Sequence, residues 1–323
     1  MIEELFAFGL DHEKSSIIKV IGVGGGGCNA VKNMFEEGIQ GVNFMICNTD
    51  AQAMQSNPVP IKIQLGVTLT QGRGAGNLPM QGEQAAIENL DDVRDILEGT
   101  TKMVFITAGM GGGTGTGAAP VIARLARELN ILTIAVVTIP SRSEGKRRYD
   151  QALVGVEKLQ KYGDSMLVVS NEKLHKIYGN LPASQAFKKA DNIITTAVKG
   201  VAEIITLHGH INIDFAYVNT VMAGSGVFLM GTGLADGPNR AKNAVRLALE
   251  SPLLDSSSIR GTKDILLNII SGTEEVTMSE IGEIIDYLQE EAGKDATIIW
   301  GNGTDLKLDN QISVTIIATG FDV

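Results

Sequence analysis

Glycines placed where a strand hands over to a helix are the residues whose type and spacing are suited to chemistry here. Gly22-Val23-Gly24-Gly25-Gly26-Gly27-Cys28-Asn29 follows a short apolar run and leads into a helical pattern. In that arrangement a phosphate can approach the backbone and meet the free N–H groups and positive dipole end of a helix. Gly22, Gly24 and Gly27 match G-x-G-x-x-G, and Asp50 stands where a dinucleotide fold keeps its ribose-binding acid. A glycine turn that only packs helix on strand is the plain alternative for this loop. A second loop, Ala108-Gly109-Met110-Gly111-Gly112-Gly113-Thr114-Gly115-Thr116-Gly117, again ends a strand and opens a helix. Two phosphate-cradling nests at one sheet edge are one more than a dinucleotide fold uses. Thr114 and Thr116 add hydroxyl donors, and Gly72-Arg73-Gly74-Ala75-Gly76-Asn77 is suited to close over a terminal phosphate. The loops contain no G-x-x-x-x-G-K-[ST] and no lysine, which excludes a P-loop binding mode.

The elements that must hold these loops follow from the apolar pattern. Runs at 17–23, 43–47, 61–65, 103–107, 132–137 and 166–169 predict strands, with helices between them at 28–37, 118–129 and 149–160. That alternation implies an α/β fold with a mostly parallel sheet covered on both faces. Residues 182–207 predict a long helix. Its apolar positions, from Ala186 and Ala190 through Ile194 and Val198 to Ile205, recur every three or four residues and form a stripe wide enough to be buried on more than one side. Beyond it, helices at 215–222, 238–249 and 278–290 and strands at 227–230, 264–270, 296–300 and 312–318 predict a second α/β domain. The expected division is 1–181, a central helix at 182–207, and 208–323, with residues 1–15 flexible.

Composition narrows the class. A chain of 323 residues has room for about two domains. The net charge of −10, from 27 Lys and Arg against 37 Asp and Glu, gives no support to a nucleic-acid partner held by counterion release. The 38 glycines accompany only 8 prolines, which is not linker composition. Two cysteines, Cys28 and Cys47, exclude a disulfide framework or a four-cysteine zinc site and fit a reducing cytoplasm. The acids Glu3, Glu4, Asp11 and Glu13 do not read as a signal peptide. The longest apolar stretch, 131–139, is far below the ~18 residues that span a bilayer, so no direct membrane insertion is expected.

Gly111 to Gly117, reading GGGTGTG, resembles the signature of the tubulin and FtsZ superfamily, and its setting AGMGGGTGTGAAP is similar to the bacterial FtsZ branch. The similarity continues through IKVIGVGGGG, NTDAQA at 48–53, GAG at 74–76, KADN at 189–192, SPLL at 251–254 and ATGF at 318–321, and so covers nearly the whole chain. The resemblance implies a Rossmann-like GTP-binding domain, a central helix and a C-terminal α/β domain that polymerise head to tail into the filament of the division ring at mid-cell. It implies that Gly25, Gly26, Gly27, Cys28 and Asn29 hold the phosphates and the edge of the base. Gly111, Gly112, Gly113, Thr114, Gly115 and Thr116 would hold the phosphates, Glu144 and Arg148 would contact the nucleotide, and Phe187 and Asp191 would stack on and hydrogen-bond guanine. A carboxylate at Asp191 suits guanine, whose N1 and N2 donors adenine lacks. Glu144 and Arg148 also read as an ordinary i, i+4 pair. GTP or GDP with Mg²⁺ is the implied ligand, with no direct protein ligand to the metal.

The resemblance also implies that a loop after the central helix enters the nucleotide site of the next subunit and polarises water through N-x-D-x-x-D. Here the stretch supplies Asn212 and Asp214, but Tyr217 replaces the second acid. A phenol is neutral at pH 7 and a poor general base, whereas a carboxylate orients water. If Asp214 cannot substitute for that second acid, slow turnover and long-lived filaments are expected. Ser143 replaces the family's usual aromatic residue, and Met80 its usual acid after Pro79. The family's flexible linker and short peptide, which bind membrane-tethering partners, would follow the ATGF strand, and the sequence stops at Val323. Two other readings stand beside the GTPase: a GTP-binding structural polymer with almost no hydrolysis, and a nicotinamide-dependent oxidoreductase, which leaves the second glycine loop unexplained.

Overall fold

The computed structural model describes residues 16–206, 209–251 and 259–321. The segment expected to be flexible, 1–15, and most of SPLL lie outside the described residues.

The first half of the chain alternates strand and helix. β1 (Ile18–Val23), α1 (Gly24–Glu36), β2 (Asn43–Asn48), α2 (Ala51–Gln55), β3 (Ile61–Gln64) and α3 (Val67–Thr70) are followed by a helical pair, α4 (Pro79–Glu88) and α5 (Leu90–Leu97). Then come β4 (Met103–Gly109), α6 (Thr114–Glu128), β5 (Leu132–Ile139), α7 (Lys146–Gln160), β6 (Ser165–Ser170) and α8 (Asn171–Tyr178). The sheet order is β3-β2-β1-β4-β5-β6, extended by the two-residue β7 (Gly226–Val227), and every pairing is parallel. This is the doubly wound order, whose direction reverses between β1 and β4, so a crevice opens at the C-terminal ends of those two strands.

Period-two alternation assigns the sheet's faces. Met103 and Phe105 of β4 pack with Ala30, Val31 and Met34 of α1, while Val104 and Ile106 pack with the α4, α5 and α6 side. Both faces are buried, and so the parallel strands read as continuous apolar runs.

α9 (Ala183–Thr206) is a 24-residue helix whose Ala197, Val198 and Val201 join the α1 face of the large sheet. After it come α10 (Phe215–Met222), β8 (Leu229–Ala235), α11 (Arg240–Leu249), β9 (Asp264–Ser271), α12 (Met278–Ala292), β10 (Thr297–Thr304) and β11 (Ile312–Thr319). The second sheet runs β10-β9-β11-β8, with β10 parallel to β9 and the other pairs antiparallel. Ile265, Leu267 and Ile269 face α11 and α12, whereas Leu266, Ile317 and Met230 join the core that contains α9. The central helix is thus buried between two sheets, as its broad stripe predicts. At Gly200 the helix approaches the second sheet so closely that a Cβ would lie 2.2 Å from the Met230 terminal methyl.

Buried Arg240 organises the second half. Its guanidinium donates to both Glu280 carboxylate oxygens (2.7 and 3.3 Å) and to the backbone carbonyls of Glu274, Glu275 and Asn310. All the guanidinium nitrogens are thereby engaged, tying α11 to the start of α12 and to the turn before β11.

Candidate functional site

The cleft at the sheet's switch point is formed by two helix N-termini. α1 begins at Gly24, four residues earlier than the apolar periodicity predicts, so the glycine run is itself the first helical turn. α6 likewise begins at Thr114, inside the second glycine motif. Neither helix has a side-chain cap: Val23 and Gly113 occupy the N-cap positions without a capping hydrogen bond. The first N–H groups of both helices therefore have no intrahelical acceptor and converge on the crevice, where the two dipoles favour an anion.

The glycines divide by what a side chain would strike. A Cβ at Gly27 would lie 2.2 Å from the Thr107 carbonyl, and one at Gly22 would lie 2.5 Å from the Gly27 carbonyl, so these two pack helix on strand. Gly117 meets the Pro79 carbonyl at 2.0 Å and Gly82 meets that of Gly113 at 2.3 Å, which lets α4 press against α6. Gly111 needs its positive φ of 97° and backs on the Arg148 backbone. Gly25 and Gly112 differ. A Cβ at either would meet nothing within 4 Å, yet both line the cleft. No protein packing requires glycine there, and their bare backbone leaves room for a ligand to approach closely.

The cleft has a volume of about 450 Å³, within the usual size for a small-molecule site. The structure brings Gly25, Gly26 and Asn29 of α1, Gly112 to Gly115 of the second loop, Glu144, Arg148 and Asp191 together around it. Thr114 shares a 2.6 Å hydrogen bond with buried Thr49, which anchors the second loop on the turn after β2. Glu144 is held by the Ser141 N–H at 2.9 Å, the Asn171 amide at 3.1 Å and Arg148 at 3.6 Å. The pair with Arg148 is the ordinary i, i+4 contact, here built into the cleft wall. Asp191 projects from α9 with no hydrogen-bond partner among the described residues, and burial pushes its carboxyl up to about 6. An unpartnered carboxylate there is an acceptor awaiting donors.

Four residues sit differently from the sequence reading. Gly27 and Gly111 lie behind the cleft in the packing roles above. Cys28 is buried, with its thiol directed at the carbonyls of Gly22 (3.6 Å) and Cys47 (3.7 Å) and pushed up to about 12 by burial, so its side chain faces the core. The Thr116 hydroxyl accepts from the Gly111 N–H at 2.8 Å and shapes the loop instead of facing the cleft. Phe187 belongs to α9, but its side chain lies outside the described residues. Asn171, Thr138 and Pro140 also line the cleft. Sequence reasoning misses them because each is a lone residue at a strand end without a motif. A second cleft, of about 480 Å³, lies behind α6 between α4 and α7, bordered by Pro79, Val154 and Gly155. Its walls carry Lys146, Arg147 and Lys158 beside Glu83 and Asp150, and none of Gly25, Gly26, Gly112 or Gly113 borders it.

Asn212, Asp214 and Tyr217 do not line the cleft. Asp214 N-caps α10, accepting from the Tyr217 N–H at 3.1 Å. Asn212 accepts from the Gly209 N–H at 2.7 Å, and Asn302 of β10 pins the segment through Ile211. Tyr217 is 53% exposed. Among the described residues no group of three or more His, Cys, Asp or Glu converges on a metal position. The cleft's donor set, backbone amides with a hydroxyl, suits an anion. No helix among the described residues is long and apolar enough to cross a membrane.

A family model of the Tubulin/FtsZ family, GTPase domain, matches residues 17–179, and one of the FtsZ family, C-terminal domain, matches 226–322. The chain is 47% identical over 325 residues to the cell division protein FtsZ of Porphyromonas gingivalis, covering 100% of this chain and 71% of the relative. It is 45% identical over 309 residues to the cell division protein FtsZ 1 of Archaeoglobus fulgidus, covering 96% and 83%. An empty FtsZ dimer from M. jannaschii superposes with a TM-score of 0.87 at 42% identity, covering 94% of this chain and 88% of that one. Two family models that together match most of the chain, and relatives this similar over nearly all of it, show that the chain belongs to the tubulin/FtsZ family, as an FtsZ-type GTP-binding GTPase of the cell-division cytoskeleton.

Proposed function

We propose that GTP binds in the cleft between α1, α6 and α9, and that hydrolysis is completed by a second copy stacked head to tail. The observation that carries this reading is the separation of parts: the cleft holds phosphate-binding backbone and the Asp191 carboxylate, while Asn212 and Asp214 lie on a segment that does not line it. A site divided between two separate surfaces of one chain makes a heterologous contact, which propagates as a filament when its rotation does not close a ring. The solved M. jannaschii relative is an FtsZ dimer, which supports self-association.

In this reading Gly25, Gly26, Asn29 and the loop Gly112, Gly113, Thr114 and Gly115 hold the phosphates by N–H and hydroxyl donors. Glu144 and Arg148 wall the nucleotide, Phe187 stacks on the base, and Asp191 accepts from its N1 and N2 donors. Asp214 and Asn212 of the next copy orient the attacking water. Mg²⁺ arrives with the phosphates and neutralises their charge. Residues 1–181 form the nucleotide domain, 182–207 the connecting helix and 208–323 the domain that carries the inter-subunit segment. The filament works in the cytoplasm at the mid-cell division ring, tethered to membrane proteins through a tail beyond the ATGF strand.

Tyr217 favours a second reading of the same assembly, a GTP-bound polymer with little hydrolysis, because only one acid stands in the segment. Sedimentation and phosphate release followed in one sample with GTP and Mg²⁺ test both. A divided site requires phosphate release per chain to rise with protein concentration as pellets form. Release per chain independent of concentration would overturn the divided site, and pellets without phosphate release would establish the second reading.

A further inference from the structure

Asn33 lies on α1 one helical turn beyond Asn29 and does not line the cleft. Its side-chain Nδ2 donates to Asn192 Oδ1 and to Thr195 Oγ1 on α9, both at 3.1 Å, and approaches Glu37 Oε1 on its own helix at 3.3 Å. Asn192 and Thr195 are three residues apart and share a face of α9. Asp191, the neighbour of Asn192, turns into the cleft. The link is sheltered, since Thr195 is 1% exposed.

The two helices joined by this amide carry opposite ends of the proposed ligand. α1 presents Gly25 and Gly26 at its first turn, and α9 presents Asp191. A nucleotide spanning both requires them in one register along their axes. Apolar contacts between the helices, such as Val31 and Met34 with Val198 and Val201, belong to one core but are non-directional and tolerate small slides. A hydrogen bond is directional and weakens steeply off its angle. The Asn33 amide grips the turn of α9 that carries Asp191.

We propose that Asn33 is a positioning residue for guanine specificity: by fixing the Asn192–Thr195 turn against α1, it holds the Asp191 carboxylate where the base N1–H and 2-amino group can both donate to it. The proposal rests on the reading of Asp191 as the base acceptor. It is separable from a purely structural role. If the link only glued two helices, its loss would weaken all nucleotides alike.

The discriminating probe is inosine triphosphate, which keeps N1–H but lacks the 2-amino group. Affinities for GTP and ITP are measured by competition in wild type, Asn33→Ala, Asp191→Asn and the double variant. Asn33→Ala is expected to weaken both nucleotides, ITP through its N1–H contact alone and GTP through both contacts, and so to lower the GTP-to-ITP affinity ratio about 5-fold. In the Asp191→Asn background the same substitution should leave the ratio unchanged, because the two act through one contact. Equal weakening of GTP and ITP by Asn33→Ala would overturn the proposal, as would the same fall in ratio with and without Asp191. An unchanged ratio in Asp191→Asn alone would instead overturn the base-acceptor reading itself. Should Asn33→Ala fail to fold, Thr195→Val keeps the shape and removes one acceptor, with an expected fall in the ratio of about 2-fold, and no fall counts against the proposal.

Discussion

Asp191→Asn separates what this side chain costs the nucleotide-free protein from what it contributes to binding. Burial raises its carboxyl from 3.8 to about 6. The folded protein therefore binds this proton more tightly than the unfolded chain between pH about 4 and about 6, and the stability contributed here falls as pH rises through that window. Above about pH 7 the group is ionised in both states and the full cost is present. At 1.36 kcal/mol per pH unit, the interval from 3.8 to about 6 corresponds to about 3 kcal/mol. Water that still reaches the side chain reduces this to ~1–2 kcal/mol. Asn has nearly the shape of the protonated acid and no charge to desolvate. The variant is therefore expected to unfold with ~1–2 kcal/mol more free energy at about pH 7.5, and with about a third of that gain at about pH 4.5. Urea unfolding of nucleotide-free protein, followed by circular dichroism at several pH values, measures it. The same variant should bind GTP ~100-fold more weakly, since two charge-assisted hydrogen bonds are lost. A variant no more stable than wild type at pH 7.5, or a gain that does not vary with pH, would refute the reasoning.

Other outcomes follow from the same geometry. Gly25→Ala and Gly112→Ala should leave the unfolding midpoint within about 0.5 kcal/mol of wild type or raise it, because a Cβ meets no atom; both should lower GTP affinity at least about 10-fold in equilibrium binding, as a methyl stands between ligand and backbone. Gly117→Ala should do the reverse, destabilising the fold by at least ~2 kcal/mol in thermal unfolding, because its methyl would strike the Pro79 carbonyl. Tyr217→Asp should raise phosphate release under assembling conditions, and a rate equal to wild type would show that the phenol is no handicap. Mixing Asp214→Ala with Asp191→Asn in equal parts should restore phosphate release above that of either alone, approaching about a quarter of wild type if subunits assort at random in a head-to-tail polymer. Arg240→Ala should cost ~2–3 kcal/mol by removing a buried guanidinium that bonds half-buried Glu280 and three backbone carbonyls, while GTP affinity measured on the folded protein stays unchanged.

Strand positions were legible because a parallel sheet covered on both faces needs uninterrupted apolar runs, and β1 to β6 agree with the predicted strands to within two residues at each end. The run predicted at 227–230 as one strand of the second domain instead divides between β7, which pairs with β6 in the large sheet, and β8 of the second sheet. The start of α1 was not legible, because four glycines in a row have neither helix propensity nor apolar period, although they form a helical turn. α4 and α5 went unread for a related reason. The face α4 buries is Gly82, Ala85 and Ala86, small residues chosen for close approach to α6, so no large apolar side chain marks the period. Pro79 at the first position was the available signal. In the cleft, the motifs located the backbone but not the direction of side chains. The sequence G-C-N-A reads the same whether Cys28 faces ligand or core, and only the pairing of β1 with β2 decides it. Asn33 gave no signal at all, since its partners are 159 and 162 residues away.

Neither α1 nor α6 is capped by one of its own side chains. A helix so built can borrow its cap from an anion, and in the proposed binding mode one nucleotide would serve two helices at once. Nucleotide would then be a structural component of the fold as well as a substrate, and each exchange would leave two helix ends without an acceptor until the next molecule arrived. In that binding mode, local opening at Gly24–Gly26 and Thr114–Thr116 would be the step through which exchange proceeds, and apparent stability would follow occupancy as RT ln(1 + [L]/Kd). The slowest amide hydrogens of those turns should therefore report the residence time of the nucleotide rather than the unfolding of the domain.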